Sequence, residues 1–365
     1  MGGRRITCKH CGESKAIYLS CGNSQCPLCQ NYKRNLWQAK LSLKMLKVPY
    51  VHTVFTTPHE LNKLMRLNER IMYNITIRSA WACVKKLSAD TRNVGGLPGM
   101  VTVLHTFGSD MKYHVHVHAL ITFGGLDEEG NWKWPKDKKK IAKYRKMCKT
   151  YRECFMKMLH ESLRKGEIEG VEGLADMLEV IENKRWNVRN GHPTTDTNIL
   201  ERYLARYINR VAISKSRLEY LKGKEKKDSI VHITYKDYNN QKEGQAAPLA
   251  VRKLEPLVAI NKFLSHVLPP YFQKSRYYGL HSSNTYNKYK DILDDKVKNN
   301  ISTVANLFAL LKALVKQDRE TLKCEVCGKE EFETKGIAAN RQWIFYYITI
   351  PSYRGPPFRK YRNAG

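Results

Sequence analysis

The chain has 365 residues, and its 64 lysines and arginines against 34 aspartates and glutamates give a formal net charge of +30. Hydrophobic residues make up 42% of the sequence, enough for a folded core, which excludes a disordered tail protein. The length predicts about two or three domains. A positive excess of this size indicates a polyanionic partner, and nucleic acid is the commonest such partner.

A membrane surface is the rival partner for so basic a chain. The sequence contains no run of about 18 apolar residues, so we expect no transmembrane helix. The N-terminus, MGGRRITCKHCG, has no apolar signal-peptide core, and Ile6 stands where a myristoylation signal needs serine or threonine. Neither a basic amphipathic helix nor a lipid anchor is evident. We therefore expect a cytoplasmic protein without a membrane partner.

The first half of the chain predicts strands and one long helical region. Residues 48–60 form a β-branched and aromatic run that ends at a proline and predicts a strand. Residues 61–88 have the apolar spacing of a helix. The segments MVTVLHTFG at 100–108 and YHVHVHALITFGG at 113–125 predict an antiparallel hairpin with a short turn between them.

The second half is mostly helical in pattern. Residues 127–196 are basic and have a largely helical pattern, and 197–212 predict a further helix. A strand is predicted at 229–238, and helices are predicted at 251–268 and at 301–316, the most apolar helix candidate. No internal repeat is evident.

Two CxxC pairs lie in the first 29 residues. Cys8 pairs with Cys11 and Cys26 pairs with Cys29, and fourteen residues separate the two pairs. In a chain without a secretory signal, such pairs indicate metal sites rather than disulfides. Four thiolates in a tetrahedron are a ligand set of structural zinc, so these four cysteines are predicted to bind Zn²⁺.

Other potential ligands accompany these pairs. Cys21 and His10 could each replace one zinc ligand, or serve a second metal with Cys324 and Cys327. The simpler interpretation is that neither binds a metal, Cys21 being a partly buried thiol and His10 an exposed imidazole. Cys324 and Cys327 form a CxxC pair with no second pair nearby in sequence, so a complete local zinc site is not visible there.

Three histidines alternate with apolar residues along the second strand of the predicted hairpin. Side chains of a strand alternate between faces, so His114, His116 and His118 share one face and the intervening residues point to a core. Two imidazoles about 7 Å apart along a strand can chelate one divalent ion. His105, on the preceding strand, could lie beside the pair. The pattern predicts a metal site.

A predicted helix carries two tyrosines and a row of arginines. Tyr203 and Tyr207 are four residues apart and share a helix face, while Arg202, Arg206 and Arg210 form a neighbouring row. Guanidinium groups match phosphate oxygens. Alone, the tyrosines indicate packing. Together with the histidine strand and the net charge of +30, they suggest that a phenolate attacks a phosphodiester beside a divalent metal. The sequence shows no P-loop for ATP, which strand rejoining by this chemistry would not need.

These motifs and their order resemble a known family. HVHALI at 116–121 is similar to the HUH motif of rolling-circle nucleases, in which a hydrophobic residue separates two histidines. VFTTPHE at 54–60, YLARY at 203–207, and HVLPPYFQKSRYYGL at 266–280 are similar to further motifs. With the cysteine segment SCGNSQCPLCQ, the chain resembles the two-tyrosine, Helitron-related transposases of insertion sequence family 91 over roughly residues 8–285.

The resemblance implies an α+β fold, in which an antiparallel HUH-nuclease sheet carries helices on one face. A small zinc-binding DNA-recognition head would occupy 1–42. The tyrosine nuclease domain would occupy 43–290, with a basic helical insertion at about 127–196. A helical and basic C-terminal region would follow at 291–365.

The implied activity is the nicking and rejoining of single-stranded DNA through 5′-phosphotyrosine intermediates in rolling-circle transposition. His116 and His118 would bind Mg²⁺ or Mn²⁺. His105 is preferred to His114 as third ligand, and His114 would then support the ligands. Tyr203 and Tyr207 would be the nucleophiles. No nucleotide cofactor is implied, and the bacterial cytoplasm is the expected location.

The implied partner is DNA, mainly single-stranded element ends, with a subterminal hairpin as one form. The zinc-binding head and the basic stretch 132–146 would bind this DNA. The individual residues expected to contact DNA are Arg202, Arg206, Arg210, Lys138, Lys139 and Lys140. Two alternatives stay open. A plasmid replication initiator or relaxase would use the same chemistry, and a zinc-dependent DNA-binding protein would bind without catalysis.

Overall fold

A computed structural model of the chain divides into two compact units, one formed by residues 1–29 with 308–365 and the other by 30–307. The structure describes residues 3–18, 37, 41, 45–195, 217–296 apart from 224, 226–227, 238–239 and 243–244, and then 324, 326–329 and 331–337. The predicted helices at 197–212 and 301–316 therefore lie outside the described residues.

The described elements are thirteen strands, seven α-helices and one short 3-10 helix at His59–Leu61. The strands are β1 (Gly3–Cys8), β2 (Ser14–Tyr18), β3 (Tyr50–Thr56), β4 (Gly99–Phe107), β5 (Tyr113–Thr122), β6 (Gly125–Leu126), β7 (Trp132–Lys133), β8 (Asn187–Asn190), β9 (Leu218–Leu221), β10 (Ile230–Lys236), β11 (Leu249–Leu254), β12 (Ser275–Gly279) and β13 (Phe332–Ile337). The helices are α1 (Asn62–Leu67), α2 (Glu69–Ala89), α3 (Tyr144–Arg164), α4 (Leu174–Asn183), α5 (Pro256–Leu264), α6 (Ser283–Lys288) and α7 (Lys290–Lys296).

The smaller unit is built around a three-stranded antiparallel sheet of order β13-β1-β2. β1 pairs with β2 through the turn that contains Cys11, and with β13 from the far end of the chain. Cys8 is opposite Phe332 in this register. Sequence analysis placed 1–42 and 291–365 in separate regions, but strand pairing brings part of the second region beside the first.

The larger unit contains a five-stranded antiparallel sheet of order β12-β4-β5-β3-β8. Its centre is the predicted hairpin, in which β4 and β5 pair from Met100 opposite Ile121 to His105 opposite His116. β3 pairs with the other side of β5, and β8 forms the edge next to β3. The α+β fold class, with an antiparallel sheet, is confirmed.

One face of this sheet is covered by α2 and α3. Val117 of β5 and Phe55 of β3 belong to the same buried cluster as Ile77 of α2 and Phe155 of α3. The alternation of β5 explains this arrangement, because every second residue after Val115 points to the helices. Burial of each such side chain stabilises the fold by roughly 1.5–3 kcal/mol.

The opposite face is apolar at one end and polar at the other. Tyr50, Val103 and Leu120 lie in a second buried cluster, together with Leu41 and Leu280 from outside the five strands. Nearer the β4–β5 turn, the same face carries the histidines. The sheet thus has a core on its helix side and separate apolar and histidine-rich regions on the other side.

Most of the predicted elements are present with adjusted ends. The strand predicted at 48–60 is β3, the strand predicted at 229–238 is β10, and the helical region 61–88 is α1 and α2, interrupted at Asn68. Residues 127–196 contain α3 and α4 as expected, but also β8, which completes the sheet.

The helix predicted at 251–268 is wrong in its first part. Residues Leu249–Leu254 form β11, which pairs with β10 in a three-stranded sheet of order β11-β10-β9. The helix α5 begins only at Pro256. Proline disfavours helical backbone in the preceding residue and fits the first helical turn, so Glu255 is extended and the helix begins after it.

Within the described ranges, the structure contains no helix long and apolar enough to cross a membrane.

Candidate functional site

Three histidines converge on the polar end of the sheet. The register places His105 of β4 directly opposite His116 of β5, and residues paired across strands share a face. His118 lies two residues further along β5 on the same face. One ring nitrogen from each of the three lies within 4.8 Å of the other two, so they form a group able to hold a metal ion.

Packing holds the three rings close together. The ring centroids of His105 and His118 are 4.8 Å apart, and those of His116 and His118 are 4.9 Å apart. The His105 ring also stacks on Phe107. The β4–β5 register shifts between His105 and Phe107. Such bulges aim side chains near functional sites.

A hydrogen bond defines the tautomer of His116. Its Nδ1 lies 2.9 Å from the carbonyl oxygen of His114, and because a carbonyl only accepts, Nδ1 carries the proton. In the neutral ring Nε2 then offers its lone pair, the usual arrangement of a metal-binding histidine. His114 contributes its backbone to the site and is not in the three-nitrogen group. Burial lowers the pKa of its side chain.

A fourth histidine, His52 of β3, was not recognised from the sequence. Its Nε2 lies 3.0 Å from Nδ1 of His118, and the two rings stack with centroids 5.2 Å apart. Burial, with a smaller effect of the Arg189 charge, lowers the pKa of His52 to about 4. The signal was present, because His52 is two residues from Tyr50 and from Val54 and so shares one face of the predicted strand with them.

A second cluster joins the two ends of the chain. Sγ of Cys8 lies 3.5 Å from Sγ of Cys327, and Sγ of Cys11 lies 3.4 Å from Sγ of Cys324. These distances are too long for disulfides, whose sulfur atoms are about 2.05 Å apart. They approach the separation of about 3.8 Å expected between thiolates on one tetrahedral zinc, given Zn–S bonds of about 2.3 Å.

The two CxxC turns of this cluster have the same local structure. Gly12 donates its N–H to the Cys8 carbonyl, and Gly328 donates to that of Cys324, both with positive φ. The backbone N–H of Cys11 lowers the pKa of the Cys8 thiol to about 6. The N–H of Cys327 likewise lowers the pKa of Cys324. These two thiols therefore favour the thiolate form that zinc binds, whereas hydrogen bonds to the neighbouring sulfurs, together with burial, raise the pKa values of Cys11 and Cys327.

The grouping of the zinc ligands differs from the predicted one. Sequence spacing paired Cys8 and Cys11 with Cys26 and Cys29, whereas the structure joins them to a CxxC pair over 300 residues away. The pairing of β1 with β13 brings the two turns together. Cys21, Cys26 and Cys29 lie outside the described residues.

Other predicted residues are placed as follows. Lys138, Lys139 and Lys140 are exposed on a short turn, where Lys140 forms an ion pair with Asp137 at 3.3 Å. The predicted nucleophiles and their arginine row lie outside the described residues, namely Tyr203, Tyr207, Arg202, Arg206 and Arg210.

Comparison with known families decides the identity of the chain. Residues 99–288, which hold the histidine hairpin and more than half of the sequence, match the family model described as "Putative transposase". Residues 1–57 match the model of a transposase zinc-binding domain. The chain belongs to the transposases of insertion sequence family 91. The predicted membership is confirmed, and the zinc-binding domain with its four-cysteine cluster supports a structural Zn²⁺.

Two relatives of this transposase match over most of their length. "Putative transposase y4qJ" of Sinorhizobium fredii (strain NBRC 101917 / NGR234) is 27% identical over 300 residues, covering 80% of this chain and 72% of the relative. The "Transposase for insertion sequence element IS801" of Pseudomonas savastanoi pv. phaseolicola is 24% identical over 347 residues, covering 93% and 80%.

Proposed function

We propose that this transposase nicks and rejoins single-stranded DNA by transferring a 5′-phosphate to a tyrosine beside a divalent metal ion. The observation that carries the proposal is the group formed by His105, His116 and His118, whose ring nitrogens lie within 4.8 Å of one another. A divalent ion held by these nitrogens on the face of the sheet would supply the charge stabilisation that a metal-assisted phosphoryl transfer requires.

The nucleophiles are Tyr203 and Tyr207, assigned from the sequence motif. The phenolate oxygen of one tyrosine attacks phosphorus, the bond from phosphorus to the 3′-oxygen breaks, and that oxygen takes up a proton. The 5′-phosphate remains esterified to the tyrosine, so the reverse attack by a 3′-hydroxyl restores a phosphodiester without ATP. Two tyrosines let one subunit hold two such ends.

The tyrosines need assistance, since an unperturbed phenol has a pKa of about 10. His105, His116 and His118 would hold a divalent ion, which would polarise the phosphate as a Lewis acid and neutralise its developing charge. The Nε2 lone pair of His116, fixed by the hydrogen bond of Nδ1, is suited to this role.

The donor set favours Mn²⁺ over Mg²⁺ as the catalytic ion. All three candidate ligands are imidazoles, and the three-nitrogen group contains no carboxylate from the described residues. Magnesium prefers oxygen ligands, whereas affinity for nitrogen ligands rises along the transition series from Mn²⁺. We expect Mn²⁺ to support the reaction at a lower concentration than Mg²⁺.

The test is capture of a covalent DNA adduct. Single-stranded oligonucleotides tiled across both flanks of the gene that encodes this chain are incubated with the full chain, with and without Mn²⁺, and separated on a denaturing gel. The proposal predicts an adduct that requires the metal and is lost in His116→Ala and in the double variant Tyr203→Phe, Tyr207→Phe. Omission of Mn²⁺ is preferable to a strong chelator, which would also remove structural zinc.

Matched variants control for general effects of substitution. His59→Ala removes an exposed histidine and Tyr220→Phe an exposed tyrosine, and both should leave the adduct intact. An adduct that persists in the double tyrosine variant would show that another residue is the nucleophile. DNA binding without any adduct for all tiled strands would favour a protein that binds without cutting.

A further inference from the structure

A basic cavity lies beside β8, between the beginning of α3 and the end of α4. Its volume is about 350 Å³. Four cationic side chains line it and no carboxylate does, the complete lining being Arg145, Cys148, Lys149, Arg152, Asn183, Arg185 and Trp186. The cavity therefore carries four positive charges that no acidic group in its own wall offsets.

Two of these cations have no acidic partner in the part of the chain that the structure describes. Arg145 and Arg185 are exposed and form no ion pair there, and Arg185 lies over the ring of Tyr144, with Cζ 5.0 Å from its centroid. Lys149 lies 3.9 Å from Glu153, and Arg152 donates to the Lys184 carbonyl. Most of the donor capacity of the cavity is thus directed to solvent.

The sheet register leads from the histidine group to this cavity. His116 is opposite Thr56 of β3, and Thr56 is opposite Asn187 of the edge strand β8. Paired residues share a face, and adjacent strands are about 4.8 Å apart, so Asn187 lies about 10 Å from His116 on the metal face. In the next row, Arg189 is similarly two strands away from His118.

Tyr144 connects that edge to the cavity. Its hydroxyl donates to Oδ1 of Asn187 at 3.3 Å, and its ring contacts Arg185 of the cavity wall. The side chain is 38% exposed. Polar and aromatic residues thus extend from the histidines over Thr56 and Asn187 to the four cations, and each neighbouring pair is joined by strand register or by a direct side-chain contact.

We propose that this cavity binds the sugar-phosphate backbone of the single strand that flanks the cleaved phosphodiester, after the strand has crossed the β8 edge. The proposal rests on the proposed function, because that function supplies the DNA strand at His116. A guanidinium group can donate two parallel hydrogen bonds to the oxygens of one phosphate. An exposed tyrosine provides a ring on which a base can stack. These contacts do not depend on the base sequence, so the cavity can bind a flanking single strand of any sequence.

The experiment measures how binding depends on salt. Full-length protein is titrated with a labelled oligothymidylate at several salt concentrations, without added Mg²⁺ or Mn²⁺. The triple variant Arg145→Ala, Lys149→Ala, Arg185→Ala should lower the slope of log affinity against log salt by about 2, because each phosphate contact on a single strand contributes roughly 0.7.

A charge-matched control separates the cavity from the overall charge. Arg78→Ala, Lys157→Ala, Arg164→Ala also removes two arginines and one lysine, all exposed on α2 or α3 outside the cavity. Its slope should fall clearly less than that of the cavity variant. Equal slopes for the two variants would overturn the proposal, since the cavity would then act only through net charge.

A second measurement locates the strand. Oligothymidylate that carries photoreactive thiothymidine is crosslinked to the wild-type chain, and the modified peptides are mapped by mass spectrometry. Crosslinks in 144–152 or 183–189 support the proposal, and their absence from both segments refutes it. Neither measurement requires cleavage. An adduct that never forms with the wild-type chain, or that persists in the double tyrosine variant, would refute the proposed chemistry and leave these binding results standing.

Discussion

Nε2 of His52 lies 3.0 Å from Nδ1 of His118, and the two imidazoles stack with their planes 19° apart. Burial lowers the pKa of His52 to about 4, so its ring is neutral at physiological pH and its Nε2 can accept a hydrogen bond from the Nδ1–H of His118. With Nδ1 of His118 protonated and directed to His52, its Nε2 is the atom left to bind a metal. The contact therefore orients the candidate ligand.

Removal of this partner should weaken metal binding. We expect His52→Ala to reduce Mn²⁺ affinity by about 10- to 100-fold, the usual cost of losing a hydrogen bond to a metal-binding histidine. Calorimetry or the electron paramagnetic resonance signal of free Mn²⁺ measures this affinity without DNA. His52→Gln keeps an acceptor and should restore part of it. Equal affinity for His52→Ala and the wild type would contradict the orienting role.

The zinc cluster predicts equal roles for the two ends of the chain. Because Cys8 and Cys11 lie 3.4–3.5 Å from Cys327 and Cys324, we expect Cys324→Ser to lose as much zinc as Cys8→Ser, about one equivalent per chain. Metal content is measured by plasma mass spectrometry on purified protein. Cys154→Ser, a substitution on α3, serves as the control. Full zinc content in Cys324→Ser would show that Cys8 and Cys11 have other partners.

Local patterns predicted the centre of the site. Strict alternation over Tyr113–Thr122 placed His116 and His118 on one face, and a short turn after β4 brought His105 opposite them. Both relationships depend on residues close in sequence, which is why the hairpin and its three histidines could be read from the residues alone.

The unpredicted features all depend on distant pairing. Cys11 and Cys324 are separated by 313 residues, and no spacing rule connects them. β8 is four residues long, and Val188 is its one buried residue. So short a segment has no recognisable alternation of apolar residues, and it becomes a strand through its pairing with β3. The role of His52 likewise follows only from the pairing of β3 with β5.

Gly279 ends β12 in a conformation that requires glycine. Its φ is +55°, and an added Cβ would meet the carbonyl oxygen of Pro98 and lie 2.7 Å from the ring of Trp81. We expect Gly279→Ala to destabilise the fold by more than about 2 kcal/mol, because left-handed backbone alone costs roughly 1–2 kcal/mol for residues with a Cβ.

Chemical denaturation measures this change, and Gly166→Ala separates its two causes. Gly166 has φ of +67° but nothing within 4 Å of an added Cβ, so its substitution should cost only the backbone part. If the two variants lose equal stability, the contact with Pro98 and Trp81 does not constrain β12.

His266 gives the stability of the larger unit a dependence on pH. Its ring is buried beside the β4–β5 turn, where Nε2 donates to the Met111 carbonyl at 3.2 Å. Burial lowers its pKa to about 4, despite the opposing effect of that hydrogen bond. In the unfolded chain the pKa is about 6.5, so between about pH 6.5 and 4 the unfolded state binds a proton that the folded state does not.

Folding stability should therefore fall as the pH decreases through this window, and His266 should contribute up to about 3 kcal/mol of the loss. Urea unfolding at pH 7 and at pH 4.5 measures the loss in the wild type. In His266→Gln the loss should be smaller, although stability at pH 7 also decreases because the packing changes. The variant His192→Gln, which removes an exposed imidazole, serves as the control for the substitution itself. An identical loss in His266→Gln and the wild type would mean that other groups account for the titration.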